Sequence, residues 1–69
     1  MEFELDRREY IELNKLLKIM QVCSSGGEAK LFIKDGLVMV NGEVELQLRK
    51  KLRSGDVVNV NNQVDILVK

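Results

Sequence analysis

The chain predicts an α+β fold built on one small core, and three observations carry that expectation. An apolar stripe at helical spacing runs from Leu13 to Met20, Ser25 and Glu28 announce a second helix, and Asn41-Gly42 sits between short β-branched runs as a hairpin signal. The two helices are consecutive in the chain and most of the strands follow them, which segregates the α and β elements. At 69 residues the chain makes a single domain, 1-69, with room for only a modest core. A domain of this size retains about 3–5 kcal/mol of net stability. Nearly every leucine and valine is therefore needed for packing, and little material remains for an enzyme's pocket.

The elements follow in order. Glu2-Phe3-Glu4-Leu5 alternates polar with apolar, as a half-buried strand does, and its candidate partner is the C-terminal run Val64-Asp65-Ile66-Leu67-Val68. Pairing the two ends would tie down termini that otherwise fray. After the charged connection Asp6-Arg7-Arg8-Glu9, residues Leu13, Leu16, Leu17 and Met20 fall at i, i+3, i+4 and i+7, which predicts a helix over about 13-21 with Asn14, Lys15 and Lys18 on its other faces. Ser25 and Glu28 have capping-box spacing, the serine oxygen accepting an orphan amide and the glutamate reaching back to the cap's own N–H. The second helix then spans about 26-35. Ala29, Phe32 and Ile33 face inward, Lys30 and Lys34 lie a turn apart on another face, and Gly36 ends the helix in a left-handed conformation.

The strands come next. Leu37-Val38-Met39-Val40 reads as a buried strand, and Asn41-Gly42 as a two-residue turn, because both residues tolerate positive φ. Glu43-Val44-Glu45-Leu46-Gln47-Leu48 alternates strictly, which offers Val44, Leu46 and Leu48 to the core. A strict turn places Val40 opposite Glu43 and Met39 opposite Val44, so either the first strand is buried on both faces or a bulge shifts the register. Ser54-Gly55-Asp56 is a turn before Val57-Val58-Asn59-Val60, and Asn61-Asn62 another before the last strand. No internal repeat or low-complexity tract is present.

Composition closes off most catalytic chemistry. The chain has no histidine and one cysteine, Cys23, so neither a zinc cluster nor a histidine-dependent triad can be assembled. No metal and no cofactor are expected, and Cys23 reads as a small packing residue. Gly26-Gly27 is too short for a nucleotide-binding loop and lacks the Lys-Ser or Lys-Thr that follows one. No apolar run exceeds four residues, too short for a membrane-spanning helix. The acidic start Met-Glu-Phe-Glu lacks the regions of a signal peptide. A cytoplasmic protein is the expectation.

A linked set of motifs carries a family resemblance. Leu13-x-x-Leu16-Leu17-Lys18, Ser25-Gly26-Gly27-Glu28-Ala29-Lys30, Ile33-Lys34-Asp35-Gly36, Val38-x-Val40-Asn41-Gly42 and Ser54-Gly55-Asp56-Val57-Val58 together resemble the S-four (S4) RNA-binding domain, in its short stand-alone subgroup. The likeness covers about 11-60. It implies two helices packed on a small twisted antiparallel sheet and binding of structured RNA, with any catalytic activity residing in separate domains that this chain lacks. Two positions depart from the pattern: Gly26 stands where many members carry arginine, and Leu31 where a basic residue is frequent. Relatives with Ser-Gly-Gly at the cap suggest that Ser25, Gly26 and Gly27 present an anion-facing helix end instead.

Charge distribution supports the same function. Acids and bases balance at 11 each, yet residues 1–14 hold the acids Glu2, Glu4, Asp6, Glu9 and Glu12 against Arg7 and Arg8. Residues 15–53 hold Lys15, Lys18, Lys30, Lys34, Arg49, Lys50, Lys51 and Arg53 against Glu28, Asp35, Glu43 and Glu45. Such a local excess is the electrostatic footprint of a phosphate-binding surface, with the acidic ends lying outside it. The candidate RNA-binding residues are Lys18, Lys30, Lys34, Arg49, Lys50, Lys51 and Arg53; packed as in the family, the lysines of the second helix and the 49–53 segment would share one face. With only Phe3, Tyr10 and Phe32 aromatic, no stacking platform is expected. Recognition of ribosomal or transfer RNA by shape and phosphates fits better. The alternative is a protein-protein adaptor that keeps the fold and uses Leu31 and the acidic ends on a protein partner.

Overall fold

The computed structural model describes all 69 residues. In chain order the elements are β1 (Glu2–Phe3), β2 (Ile11–Glu12), α1 (Leu13–Ile19), α2 (Gly26–Lys34), β3 (Val38–Val40), β4 (Glu43–Val44), β5 (Lys51–Leu52), β6 (Val57–Val60) and β7 (Val64–Val68). A five-stranded sheet has the order β1-β7-β6-β3-β4, and β2 pairs with β5 in a separate two-stranded ribbon. The two helices pack together over one face of the larger sheet. Leu13, Leu16 and Leu17 of α1 and Ala29 and Ile33 of α2 are buried with Val38, Val40, Val58, Val60, Ile66 and Val68 in one cluster that contains no buried polar side chain. Phe32 is half-buried at its margin.

Every neighbouring pair is antiparallel except β1 and β7, which run parallel with Glu2 opposite Leu67 and Phe3 opposite Val68. The expected pairing of the chain ends is present, in a sheet that is mixed where an antiparallel one was expected. Alternation in Glu2-Phe3-Glu4-Leu5 specifies a face, because side chains alternate with period two in either direction. Direction is set by where the chain goes next.

Both helices close with the same device, which explains their ends. At α2, the amides of Gly36 and Leu37 donate to the carbonyls of Ile33 and Phe32 at 3.1 Å each, with Gly36 at φ 75°. At α1, those of Gln21 and Val22 donate to Lys18 and Leu17 at 3.1 and 3.0 Å, with Gln21 at φ 59°. The left-handed residue terminates each helix. Because Gln21 fills that position without being glycine, α1 stops at Ile19, short of the expected 21.

The hairpin resolves the register left open by the sequence. Asn41 (φ 53°) and Gly42 (φ 85°) form a two-residue turn, with Val40 opposite Glu43 and Met39 opposite Val44 and no bulge. Val38 and Val40 are buried while Glu43 on the same side reaches water. That is possible because β4 is the edge strand. The expectation that Glu43 to Leu48 form one core-facing strand is corrected: β4 ends at Val44, Val44 and Leu46 are 55% and 61% exposed, and of the apolar set only Leu48 packs on the core. Alternation there had no facing layer to bury against.

Candidate nucleic-acid interface

The basic segment 49–53 is not a solvated loop. Leu52 is completely buried, opposite Ile11 in the β2–β5 ribbon, and Lys51 is opposite Glu12. The first amides of α1, on Leu13 and Asn14, donate to the carbonyls of Lys50 (2.9 Å) and Leu48 (3.0 Å). Helix N-termini leave such amides without partners. Here the strap supplies them, which accounts for an N-cap, Glu12, that makes no side-chain capping bond.

A polar clasp fixes the other end of the strap. The Arg53 amide donates to Asp56 Oδ2 (2.8 Å), Asn41 Nδ2 donates to Asp56 Oδ1 (3.0 Å), and the Val57 amide donates to Asn41 Oδ1 (2.9 Å). The turn after the strap is thereby bound to the β3–β4 hairpin. Lys50, Lys51 and Arg53 line one cleft with Asn41, Glu43 and Asp56. The strap's backbone anchors belong to α1, β2 and the 47–56 region, and none comes from α2.

Lys30 and Lys34 are exposed on α2, with Leu31 beside them 61% exposed. Lys18 lines a depression with Ser24 and Glu28 near the α2 N-terminus. The chain makes three ion pairs, Lys15–Glu12 (3.3 Å), Arg53–Glu9 (3.6 Å) and Lys69–Glu2 (3.3 Å). Of the seven candidate cations, Arg53 alone therefore has a carboxylate within reach. The acidic N-terminal stretch does not lie wholly outside the basic region as expected, since Glu12 of β2 pairs with Lys15 of α1 and Glu9, just before β2, pairs with Arg53. Main-chain pairing of β2 with β5 overrides the segregation of charge along the sequence.

At the α2 N-terminus, Ser25 Oγ accepts the Glu28 amide (3.2 Å). The carboxylate of Glu28 does not return to the amide of Ser25; it accepts from Ser24, through N–H (3.1 Å) and Oγ–H (3.3 Å). The cap residue is Ser25 as expected, and only the glutamate's return bond is displaced by one residue, because Ser24 offers two donors where the expected box has one. Gly26 and Gly27 have no positive φ, and a Cβ would meet nothing within 4 Å at Gly26 and only Ser25 Oγ, at 3.8 Å, at Gly27. Neither glycine is required by the fold, and the amides of both are free of protein acceptors. Cys23 is buried close by. Burial pushes its thiol upward from 9.0, and the Glu28 carboxylate adds to the shift. Such a thiol is a poor nucleophile, and no cluster of His, Cys, Asp or Glu is arranged to hold a metal.

The S4 domain family matches residues 3–69. The chain belongs to the S4 domain family. It is 39% identical to Escherichia coli YbcJ over 57 residues, 83% of this chain and 81% of that protein. It is also 42% identical over 52 residues to the Bacillus subtilis protein named "Probable ribosome maturation protein RlbA", covering 75% and 73% of the two chains. The solution structure of YbcJ, described as revealing a motif involved in RNA binding, superposes with a TM-score of 0.71 at 34% identity over 96% of this chain and 85% of that one. Ribosomal protein S4e of Thermoplasma acidophilum shares the fold, with a TM-score of 0.67 at 20% identity over 80% of this chain and 29% of its own.

One residue of this S4 domain escaped the sequence reading. Tyr10, 36% exposed, has Lys51 Nζ 5.0 Å and the Arg53 guanidinium carbon 5.7 Å from its ring centroid. Both distances are within cation–π range. The available signal was a single aromatic residue isolated among the charges of 6–12; its nearness to 51 and 53 depends on the β2–β5 pairing.

Proposed function

We propose that this S4 domain binds structured RNA, ribosomal or transfer RNA, in the cytoplasm and acts by binding alone, as a ribosome-associated factor. The observation that carries the reading is that six of the seven candidate cations, Lys18, Lys30, Lys34, Arg49, Lys50 and Lys51, make no ion pair. Exposed cations left without acids repel one another, and phosphates relieve that cost while releasing condensed counterions. The strap, residues 48–53, supports the same reading, because main-chain bonding to α1 at Lys50 and pairing with β2 at Lys51 hold both residues by their backbone. Arg53 joins them when phosphate displaces Glu9, and Ser25, Gly26 and Gly27 offer a second anion-facing point where the free amides of α2 begin. The relatives support it too, one described by an RNA-binding motif and one named for ribosome maturation.

The test is binding of ribosomal subunits and a folded transfer RNA across a salt series, for the native chain and for Lys30→Glu, Lys34→Glu and Lys50→Glu/Lys51→Glu. With about 4–6 phosphates contacted, the log–log slope is on the order of −3 to −5, and the reversals flatten it. Binding indifferent to salt and to every reversal would refute the RNA surface and favour a protein partner at Leu31.

A further inference from the structure

We propose that Tyr10 forms a subsite for one unpaired nucleobase of the bound RNA, an inference that rests on the RNA-binding reading above and deepens it. Tyr10 stands at the rim of a depression of about 380 Å³ between β2 and α1, which it lines with Ile11, Ile19, Arg8, Lys15 and Glu12. Two kinds of wall meet there. Ile19 is a 50% exposed apolar side chain on a helix whose leucines, Leu13, Leu16 and Leu17, are buried, and with the tyrosine ring it offers water-avoiding surface to a flat ligand. Arg8 supplies positive charge at the same place. The one carboxylate in the lining, Glu12, is paired with Lys15 at 3.3 Å, so it does not stand as a bare repulsive charge.

The ring also joins this depression to the strap. Lys51 and Arg53 lie over the Tyr10 ring; a base that stacks on the ring takes a cation's place there, and that cation turns to the phosphate of the same nucleotide. A helical RNA keeps its base faces stacked inside the duplex, and only an unpaired base presents one to an aromatic side chain. The subsite therefore directs this S4 domain toward a bulge or loop of a folded RNA, where charge alone is indifferent to pairing.

The experiment compares a hairpin RNA carrying one bulged adenosine with the same hairpin carrying an abasic ribose at the bulge. The native chain is expected to prefer the adenosine by about 5- to 150-fold, the range for stacking one base on an aromatic side chain. Tyr10→Phe keeps the preference, and Tyr10→Leu brings it to about one while leaving the salt slope unchanged. The chain has one tyrosine and no tryptophan, so quenching of its tyrosine emission by the adenosine hairpin, and not by the abasic one, reports the contact without any substitution. Equal binding of both hairpins by the native chain overturns the subsite. So does a Tyr10→Leu variant that flattens the salt slope but keeps the preference, since the ring would then serve only to align Lys51 and Arg53. If Lys50→Glu/Lys51→Glu weakens both hairpins and neither is preferred, the RNA reading stands and the subsite falls; binding of neither hairpin at low salt removes both.

Discussion

Removing the carboxylate of Asp56 tests how the strap is held. It accepts two hydrogen bonds, from the Arg53 amide at 2.8 Å and from Asn41 Nδ2 at 3.0 Å. Bonds to a charged acceptor contribute about 1.5–3 kcal/mol where water is excluded, but this clasp is open to solvent and Asp56 only half-buried, so about 1 kcal/mol for each bond is appropriate. Asp56→Ala should then cost about 2 kcal/mol, and at about 4–8 °C per kcal/mol for a domain this small, Tm should fall by about 8–16 °C. Asp56→Asn is the sharper variant. Its remaining carbonyl can still serve Arg53, but its NH₂ group would face the NH₂ of Asn41, which cannot flip because its oxygen already accepts the Val57 amide at 2.9 Å. A loss of about 1 kcal/mol is expected. In an Asn41→Gly background, which keeps the positive φ of the turn and removes the partner, the same Asp56→Asn change should cost close to nothing. Urea unfolding followed by circular dichroism measures the parent and all four variants. An Asp56→Ala variant within about 0.5 kcal/mol of the parent, or an Asp56→Asn cost equal in both backgrounds, would refute the clasp.

Further outcomes follow from the cap and from the buried thiol. Gly26→Arg restores the residue that many S4 domains carry after the cap serine; with open space at that Cβ, the fold should be unaffected, and one added phosphate contact should steepen the salt slope by about 0.9. Because Cys23 titrates above 9.0 in the folded state and near its ordinary value when unfolded, the unfolded chain holds fewer protons between those two values. Stability should therefore fall as pH rises through that window, by at most about 1.4 kcal/mol per pH unit. Denaturation from pH 7 to pH 10.5, with Cys23→Ala as the reference, isolates that slope; parallel profiles for the two proteins would count against the assignment.

The helices, the hairpin and the α+β class were legible because each is a local matter. Leu13, Leu16 and Leu17 declare a face by spacing alone, Ser25 and Glu28 lie within one turn of each other, and Asn41-Gly42 needs only its own backbone preference. Boundaries failed where a residue did another's work: Gln21 closed α1 in the place of a glycine, and Ser24 drew the Glu28 carboxylate from Ser25. The seven candidate cations could be named from the sequence, but the six without an ion pair could not be sorted from Arg53, since Arg53 and Glu9 are 44 residues apart.

By itself the sequence determined the class of fold, the family pattern, the lack of the histidines and clustered cysteines that a zinc cluster or a histidine-dependent triad needs, and the excess of positive charge between Lys15 and Arg53. The tertiary structure decided three things that periodicity cannot express. It made β1 parallel to β7, because alternation fixes a face and not a direction. It left Val44 and Leu46 exposed, because an alternating strand buries its apolar side only where another layer exists to cover it. It brought Tyr10 against Lys51 and Arg53 through the pairing of β2 with β5, two residues on each side. So short a ribbon carries almost no signal of its own; its partners are selected by the buried contact between Ile11 and Leu52 and by the need of α1's first amides for carbonyl groups.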